Sequence, residues 1–165
     1  MEGERRLDPI EFLRALYNSE IPYLLVGRQA LVLLGAPLMT ADYDFYMSPE
    51  REHLDRLLSL AEEKQLELSA RDPGRRPFFS LLSDTLKLDF FRCRHYSEEG
   101  GPGFTFEELY SRRQVVRVED FAVHVPTLED LLRTKRARAS PKDLEDIKYL
   151  QVLLERQAQG DASGG

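Results

Sequence analysis

The sequence predicts a mixed α/β (α+β) domain, a sheet flanked by helices with further helices closing the chain. Three observations carry this. Helix-start signals recur along the chain, short apolar or alternating runs lie between them, and the two kinds of element interleave rather than segregate. Asp8-Pro9-Ile10-Glu11 opens the first helix with a capping side chain, a proline in the first turn and an acid. Tyr23–Val26 reads as a short buried strand ending at Gly27, where a second helix begins. Tyr43–Met47 is the next strand. Ser48-Pro49 starts a helix whose Leu54, Leu57, Leu58 and Ala61 fall at helical spacing. After a loop over 72–77, Phe78–Leu82 and Leu86–Phe91 read as strands. A second loop spans 97–103, and Thr105-Phe106-Glu107-Glu108 is a capping box. Gln114–Val118 and Phe121–Val125 flank a hairpin turn at Glu119-Asp120. Thr127 and Ser140-Pro141 cap the last two helices, the second carrying Leu144, Ile147, Leu150 and Leu154 on one side. The expected organisation is one domain over 1–157 and a flexible tail over 158–165, where Gly160-Asp161-Ala162-Ser163-Gly164-Gly165 has nothing to bury.

A chain of 165 residues buries about two-thirds of its unfolded surface and needs no disulfide or structural metal for a core. With 42% hydrophobic and 32% charged residues it is not a disordered chain. Lys plus Arg is 23 and Asp plus Glu 29, a net charge of −6, which argues against a nucleic-acid-coated protein while permitting a local basic site. Cys93 stands alone, which suits a reducing compartment. The apolar run Ala30–Leu34 is far short of the roughly 20 residues of a membrane helix. No apolar signal core follows Met1 to Arg6, so the expectation is a soluble cytoplasmic protein with no membrane partner.

The chemistry centres on carboxylates. In Asp42-Tyr43-Asp44, alternate residues of a strand share a face roughly 6.6 Å apart, so Tyr43, Phe45 and Met47 pack inward while Asp42 and Asp44 point the other way. Two anions so close repel, and a divalent cation between them removes that cost. The plainer alternative is a solvated strand face. Asp89, in Leu86-Lys87-Leu88-Asp89-Phe90-Phe91, is an acid inside a strongly apolar strand, where such a residue rarely stands without a partner. If that strand lies beside Tyr43–Met47, three carboxylates converge on a site for one or two Mg²⁺ or Mn²⁺ ions, the equipment of phosphoryl or nucleotidyl transfer. Otherwise Asp89 pairs with Lys87 or Arg92 at a sheet edge. Val26-Gly27-Arg28-Gln29-Ala30 is a strand-to-helix junction, where free backbone N–H groups bind phosphate and Gly27 lets a ligand approach; alone, one glycine there is only a turn.

This order of strand, glycine turn, helix, D-x-D strand and third-acid strand resembles the minimal nucleotidyltransferases of the DNA polymerase β superfamily. The spacing from Gly27 to Asp42-Tyr43-Asp44 fits, as does Thr40 ahead of the acids. The stretch Leu128-Glu129-Asp130-Leu131-Leu132-Arg133-Thr134-Lys135, then Arg138, then Lys142-Asp143-Leu144-Glu145-Asp146-Ile147, resembles the end of the AbiEii-type and related branches. The likeness spans roughly Tyr23 to Leu150. It implies a nucleotidyltransferase-like mixed sheet with C-terminal helices, an NTP substrate with Mg²⁺ or Mn²⁺, and an RNA, protein or small-molecule acceptor. It also implies a toxin with a cognate antitoxin as one setting. By the same resemblance Asp42, Asp44 and Asp89 are the metal-binding catalytic residues, and Gly27, Arg28, Thr40, Lys135 and Arg138 bind the nucleotide. Arg28 departs from the pattern, for the family has a small residue there. A long side chain either covers the helix start or contacts phosphate through its guanidinium.

Arg133, Lys135, Arg136, Arg138 and Lys142 form a basic segment; for Arg133 and Arg136 a solvated helix surface is the plainer expectation. Asp143 and Asp146 share a side of the last helix, near enough to its start to favour the helix dipole. His53, His95 and His124 have no metal-ligand spacing, and His124 in an alternating strand reads as structural. The leading expectation is a metal-dependent nucleotidyltransferase. The alternatives are a catalytically silent relative binding RNA or a protein partner through the basic segment, and a metal-dependent phosphohydrolase using the same acids.

Overall fold

The computed structural model describes residues 7–36, 40–98, 100–138 and 141–163. Local signals set the elements where they were expected. The Asp8 carboxylate accepts the Ile10 N–H at 2.9 Å and starts α1 (Pro9–Asn18). Then follow β1 (Tyr23–Val26), α2 (Gly27–Leu33), β2 (Tyr43–Met47), α3 (Arg51–Glu63), β3 (Glu67–Leu68), β4 (Phe78–Leu82) and β5 (Lys87–Phe91). The chain continues through β6 (His95–Tyr96), β7 (Phe104–Thr105), α4 (Phe106–Ser111), β8 (Gln114–Val118), β9 (Phe121–Val125), α5 (Leu128–Arg138) and α6 (Pro141–Ser163). The Thr105 capping box forms in full at α4, and Glu119, at φ 53°, turns the β8–β9 hairpin.

The main sheet runs β1-β2-β5-β4-β3. Every pairing is antiparallel except β2 with β5, which is parallel. The period of two sorts the strands into two faces. On one, Phe45 stacks on Phe90 at 4.8 Å and Phe90 on Phe79 at 5.6 Å, with Phe12 of α1 edge-on to Phe45 and Phe90. On the other stand Asp44, Asp89, Tyr46 and Phe91, and Tyr46 stacks on Tyr96 at 4.4 Å, which stacks on Phe104. The β8–β9 hairpin is tied to α1 by Arg14, which reaches Glu119 at 2.7 Å and Asp120 at 3.0 Å.

Some boundaries differ from expectation. The α3 helix starts at Arg51, not at Ser48-Pro49. The Ser48 hydroxyl instead accepts the Glu50 N–H and meets His53 Nδ1 at 2.7 Å, which closes a turn ahead of the helix. Leu86 belongs to the β4–β5 turn, its N–H donating to Ser83 Oγ. The α6 helix continues past 157 to Ser163, with residues 155–160 exposed. Among the described residues, no helix is long and apolar enough to cross a membrane.

Candidate active site at the parallel strand seam

The parallel register puts Asp44 directly opposite Asp89. Residues so paired point to the same face, and neighbouring strands stand roughly 4.8 Å apart. Asp89 is therefore in the middle of the sheet. It does not pair with Lys87 or Arg92 at an edge: the Ser80 hydroxyl, opposite it on β4, donates a short hydrogen bond to Asp89 Oδ1. Arg92 turns to backbone instead, donating to the Pro49 carbonyl at 2.8 Å.

Asp42 lies ahead of the first residue of β2 and is exposed, so the seam brings two of the three acids together rather than all three. Among the described residues, no group of three or more His, Cys, Asp or Glu side chains is placed to hold a metal ion. Thr40 acts on Asp42 directly, its hydroxyl accepting the Asp42 N–H at 3.1 Å. Its carbonyl accepts from Gln29 Nε2 at 2.8 Å, which ties the start of α2 to the segment that carries the acids. Gln29 and Ser80 were not singled out by sequence reasoning. A lone hydroxyl in Phe78-Phe79-Ser80-Leu81-Leu82 was the available signal for Ser80.

Gly27 completes the arrangement. It opens α2 at φ 69°, and a Cβ there would stand 2.7 Å from Asp44 Oδ2. The glycine is thus required twice, by the left-handed backbone and by the carboxylate packed against it. No side chain caps the start of α2.

The basic segment does something other than line an open surface. Lys135 is buried at 4% exposure, and its Nζ donates to Asp146 Oδ2 at 2.7 Å. Arg28 Nε donates to the other oxygen, Oδ1, at 3.0 Å. Asp146 is fully buried, so its expected role as an acid favouring the helix dipole gives way to a structural one, with two cations sharing one carboxylate. Arg133 is not solvated surface either. It pairs with Glu98 at 3.0 Å and donates to the Gly103 carbonyl, while Arg136 is exposed. The side chains of Arg138, Lys142 and Asp143 lie outside the described residues. His124 is half-buried and stacked on Tyr23 at 5.5 Å.

No protein-family profile matches the chain, and no curated protein matches it in sequence. Solved structures do match. A lincosamide antibiotic adenylyltransferase, LnuA, solved with lincomycin bound, aligns over 87% of this chain and 94% of its own, at 14% identity and TM-score 0.64. A protein of Thermotoga maritima provisionally described as a nucleotidyltransferase aligns over 93% of this chain and 97% of its own, at 18% identity and TM-score 0.52. An antigenic nucleotidyltransferase-like protein from Paracoccidioides brasiliensis aligns over 92% and 86%, at 16% identity and TM-score 0.50. The mixed sheet with its parallel seam, flanked by helices, is a nucleotidyltransferase fold.

Proposed function

We propose that the protein is a metal-dependent nucleotidyltransferase of the DNA polymerase β type, in a branch related to AbiEii. It would move a nucleoside monophosphate from an NTP to an RNA, protein or small-molecule acceptor. One observation carries the reading: Asp44 and Asp89 are in register on the one parallel pairing of the main sheet, with the Gly27 turn packed against Asp44. The donor set fits Mg²⁺ or Mn²⁺, because Mg²⁺ is usually held by one or two carboxylates plus substrate phosphates rather than by an all-protein cage. Asp44 and Asp89 would hold the ion, with Asp42, exposed just ahead of β2, assigned to it from the sequence; the ion would supply charge neutralisation at the phosphates. Gly27 makes room for the Asp44 carboxylate, and the uncapped start of α2 beside it would take a phosphate. Thr40 and Gln29 fix the segment that carries Asp42. Arg28, at the start of α2, would meet the triphosphate, and Lys135 and Arg138 are assigned alongside it from the sequence, Lys135 acting from its buried position on Asp146 through its charge. A toxin with a cognate antitoxin is the biological setting that the branch suggests.

The test is incubation with each labelled NTP, Mn²⁺ or Mg²⁺, and total RNA or lysate. Label should pass to an acceptor. Asp44→Asn and Asp89→Asn should each lower the rate at least about a hundredfold, ~2.7 kcal/mol of barrier. Transfer unaffected by both changes would defeat the assignment. Release of nucleoside phosphates without any labelled acceptor would favour the hydrolase.

A second reading has its own observation. Arg28 stands at the glycine turn with its Nε committed to Asp146. An arginine at the glycine turn that is already engaged by Asp146 suits a silent relative that binds RNA or a protein partner. Calorimetry with NTP and Mg²⁺ separates the two: Arg28→Gly binding nucleotide more tightly than the natural chain favours the silent binder.

A further inference from the structure

The residues beside the carboxylates form one row across the main sheet. Ser80 on β4 pairs with Asp89 on β5, Asp89 pairs with Asp44 on β2, and Asp44 pairs with Val26, which precedes Gly27. Partners in register share a face, roughly 4.8 Å from strand to strand. Asp89 therefore stands between a hydroxyl on one side and a second anion on the other.

Ser80 is the polar residue of an otherwise apolar strand, Phe78-Phe79-Ser80-Leu81-Leu82. Phe79 and Leu81 are fully buried, and Ser80 itself is 4% exposed. A buried hydroxyl costs free energy unless it is hydrogen-bonded. The Ser80 proton goes to Asp89 Oδ1 rather than to a backbone carbonyl. Such a bond to an ionised acceptor is roughly twice as strong as one between neutral groups. The backbone of Ser80 is fixed as well. Its N–H donates to Ser69 Oγ at 2.8 Å, and its carbonyl accepts the Ser69 N–H at 3.0 Å. Ser69 follows β3, so it anchors Ser80 from the side of β4 away from Asp89.

The end torsion of an aspartate is broad, so a carboxylate turns at little cost unless something holds it. Across from Asp89 stands Asp44, whose charge drives the two groups apart. The Ser80 bond works against that drift by holding Oδ1 on the β4 side. The other oxygen, Oδ2, has no hydrogen-bond partner among the described residues.

We propose that Ser80 is a positioning residue of the seam: its hydroxyl sets the rotation of the Asp89 carboxylate, and through it the affinity of the two acids for a divalent ion. The proposal rests on the reading of Asp44 and Asp89 as the residues that hold that ion. A serine with a structural role alone would satisfy Asp89 and do no more, so its loss would lower stability without touching metal affinity.

The full-length chain is titrated near pH 7.5 with the Mn²⁺–tripolyphosphate complex, which supplies phosphate oxygens without a base. Binding is read as the enhancement of water-proton relaxation by the ion, and circular dichroism reports the fold. Ser80→Ala, which removes one oxygen and adds nothing, should weaken binding about tenfold or more. Ser80→Thr, which keeps the hydroxyl, should stay within about twofold of the natural chain. Ser80→Ala binding as tightly as the natural chain would overturn the proposal, whatever its stability. A loss shared equally by Ser80→Thr would assign the effect to packing on β4 and overturn it too. Failure of the underlying reading looks different: the natural chain does not bind the complex, or binding survives both Asp44→Asn and Asp89→Asn, and the proposal falls with it.

Discussion

Two carboxylate centres in this molecule are assembled in opposite ways. At Asp146 the fold brings two cations, Arg28 from α2 and Lys135 from α5, onto one fully buried acid. At the seam it sets two acids, Asp44 and Asp89, opposite each other on adjacent strands. In the first arrangement every buried charge has a partner, so removing one would strand the others. The second raises the energy of the folded chain, since like charges directly opposite one another in a sheet are destabilising. Acids that the fold satisfies hold elements together. The two acids of the seam instead face each other across the parallel pairing.

Asp146→Ala is expected to have the largest effect on stability. It leaves Arg28 and the buried Lys135 without their shared carboxylate and should cost about 3–5 kcal/mol. At this chain length that is a fall in Tm of roughly 6–20 °C by calorimetry. A loss below about 1 kcal/mol would remove the contrast between the centres.

Gly27→Ala joins the glycine turn to the seam. The left-handed backbone makes any side chain cost about 1–2 kcal/mol, and the new Cβ must displace the Asp44 carboxylate. Transfer should fall by much more than the modest change in denaturation midpoint implies. Full activity would mean that the Asp44 position is not critical.

Asp89→Asn should change stability by less than about 1 kcal/mol, with any change toward greater stability, because it relieves the Asp44 repulsion. The Ser80 hydroxyl keeps an acceptor in the new amide. A clear loss in urea unfolding would recast Asp89 as a structural acid like Asp146.

His124 gives the smallest effect. Its imidazole, depressed by burial and by Arg113, takes a proton in the folded chain only below the 6.5 of an ordinary histidine. Below about pH 6.5 the unfolded chain binds more protons, so stability is full above that pH and falls as pH drops toward the folded value. His124→Gln should flatten this part of the midpoint-against-pH curve between about pH 7.5 and 5. Parallel curves for the two proteins would exclude the contribution.

Much of this organisation was legible in the sequence because it is local. Tyr23–Val26, Tyr43–Met47 and the β8–β9 hairpin follow from apolar runs and a turn, and Asp8 and Thr105 cap the helices they precede. The two-residue strands β3, β6 and β7 are too short to carry a period. Asp44, Asp89 and Gly27 could be named, but that Asp42 stands apart depends on where β2 begins and on its register with β5. Asp146 was misread because its partners lie on other helices, Arg28 far back in the chain. Spacing along α6 encodes neither contact.

The parallel seam also bears on how the protein comes into being. The β1–α2–β2 segment carries Asp44, and the β3–β4–β5 meander, joined by antiparallel pairings between successive strands, carries Asp89. Each segment can form from contacts close in sequence, whereas the seam closes a loop that spans α3, β3 and β4. The crowding of the two anions comes into existence only at that closure. In a refolding experiment, a divalent ion present from the start should therefore speed or stabilise the docking of the two segments while leaving the earlier formation of each unchanged.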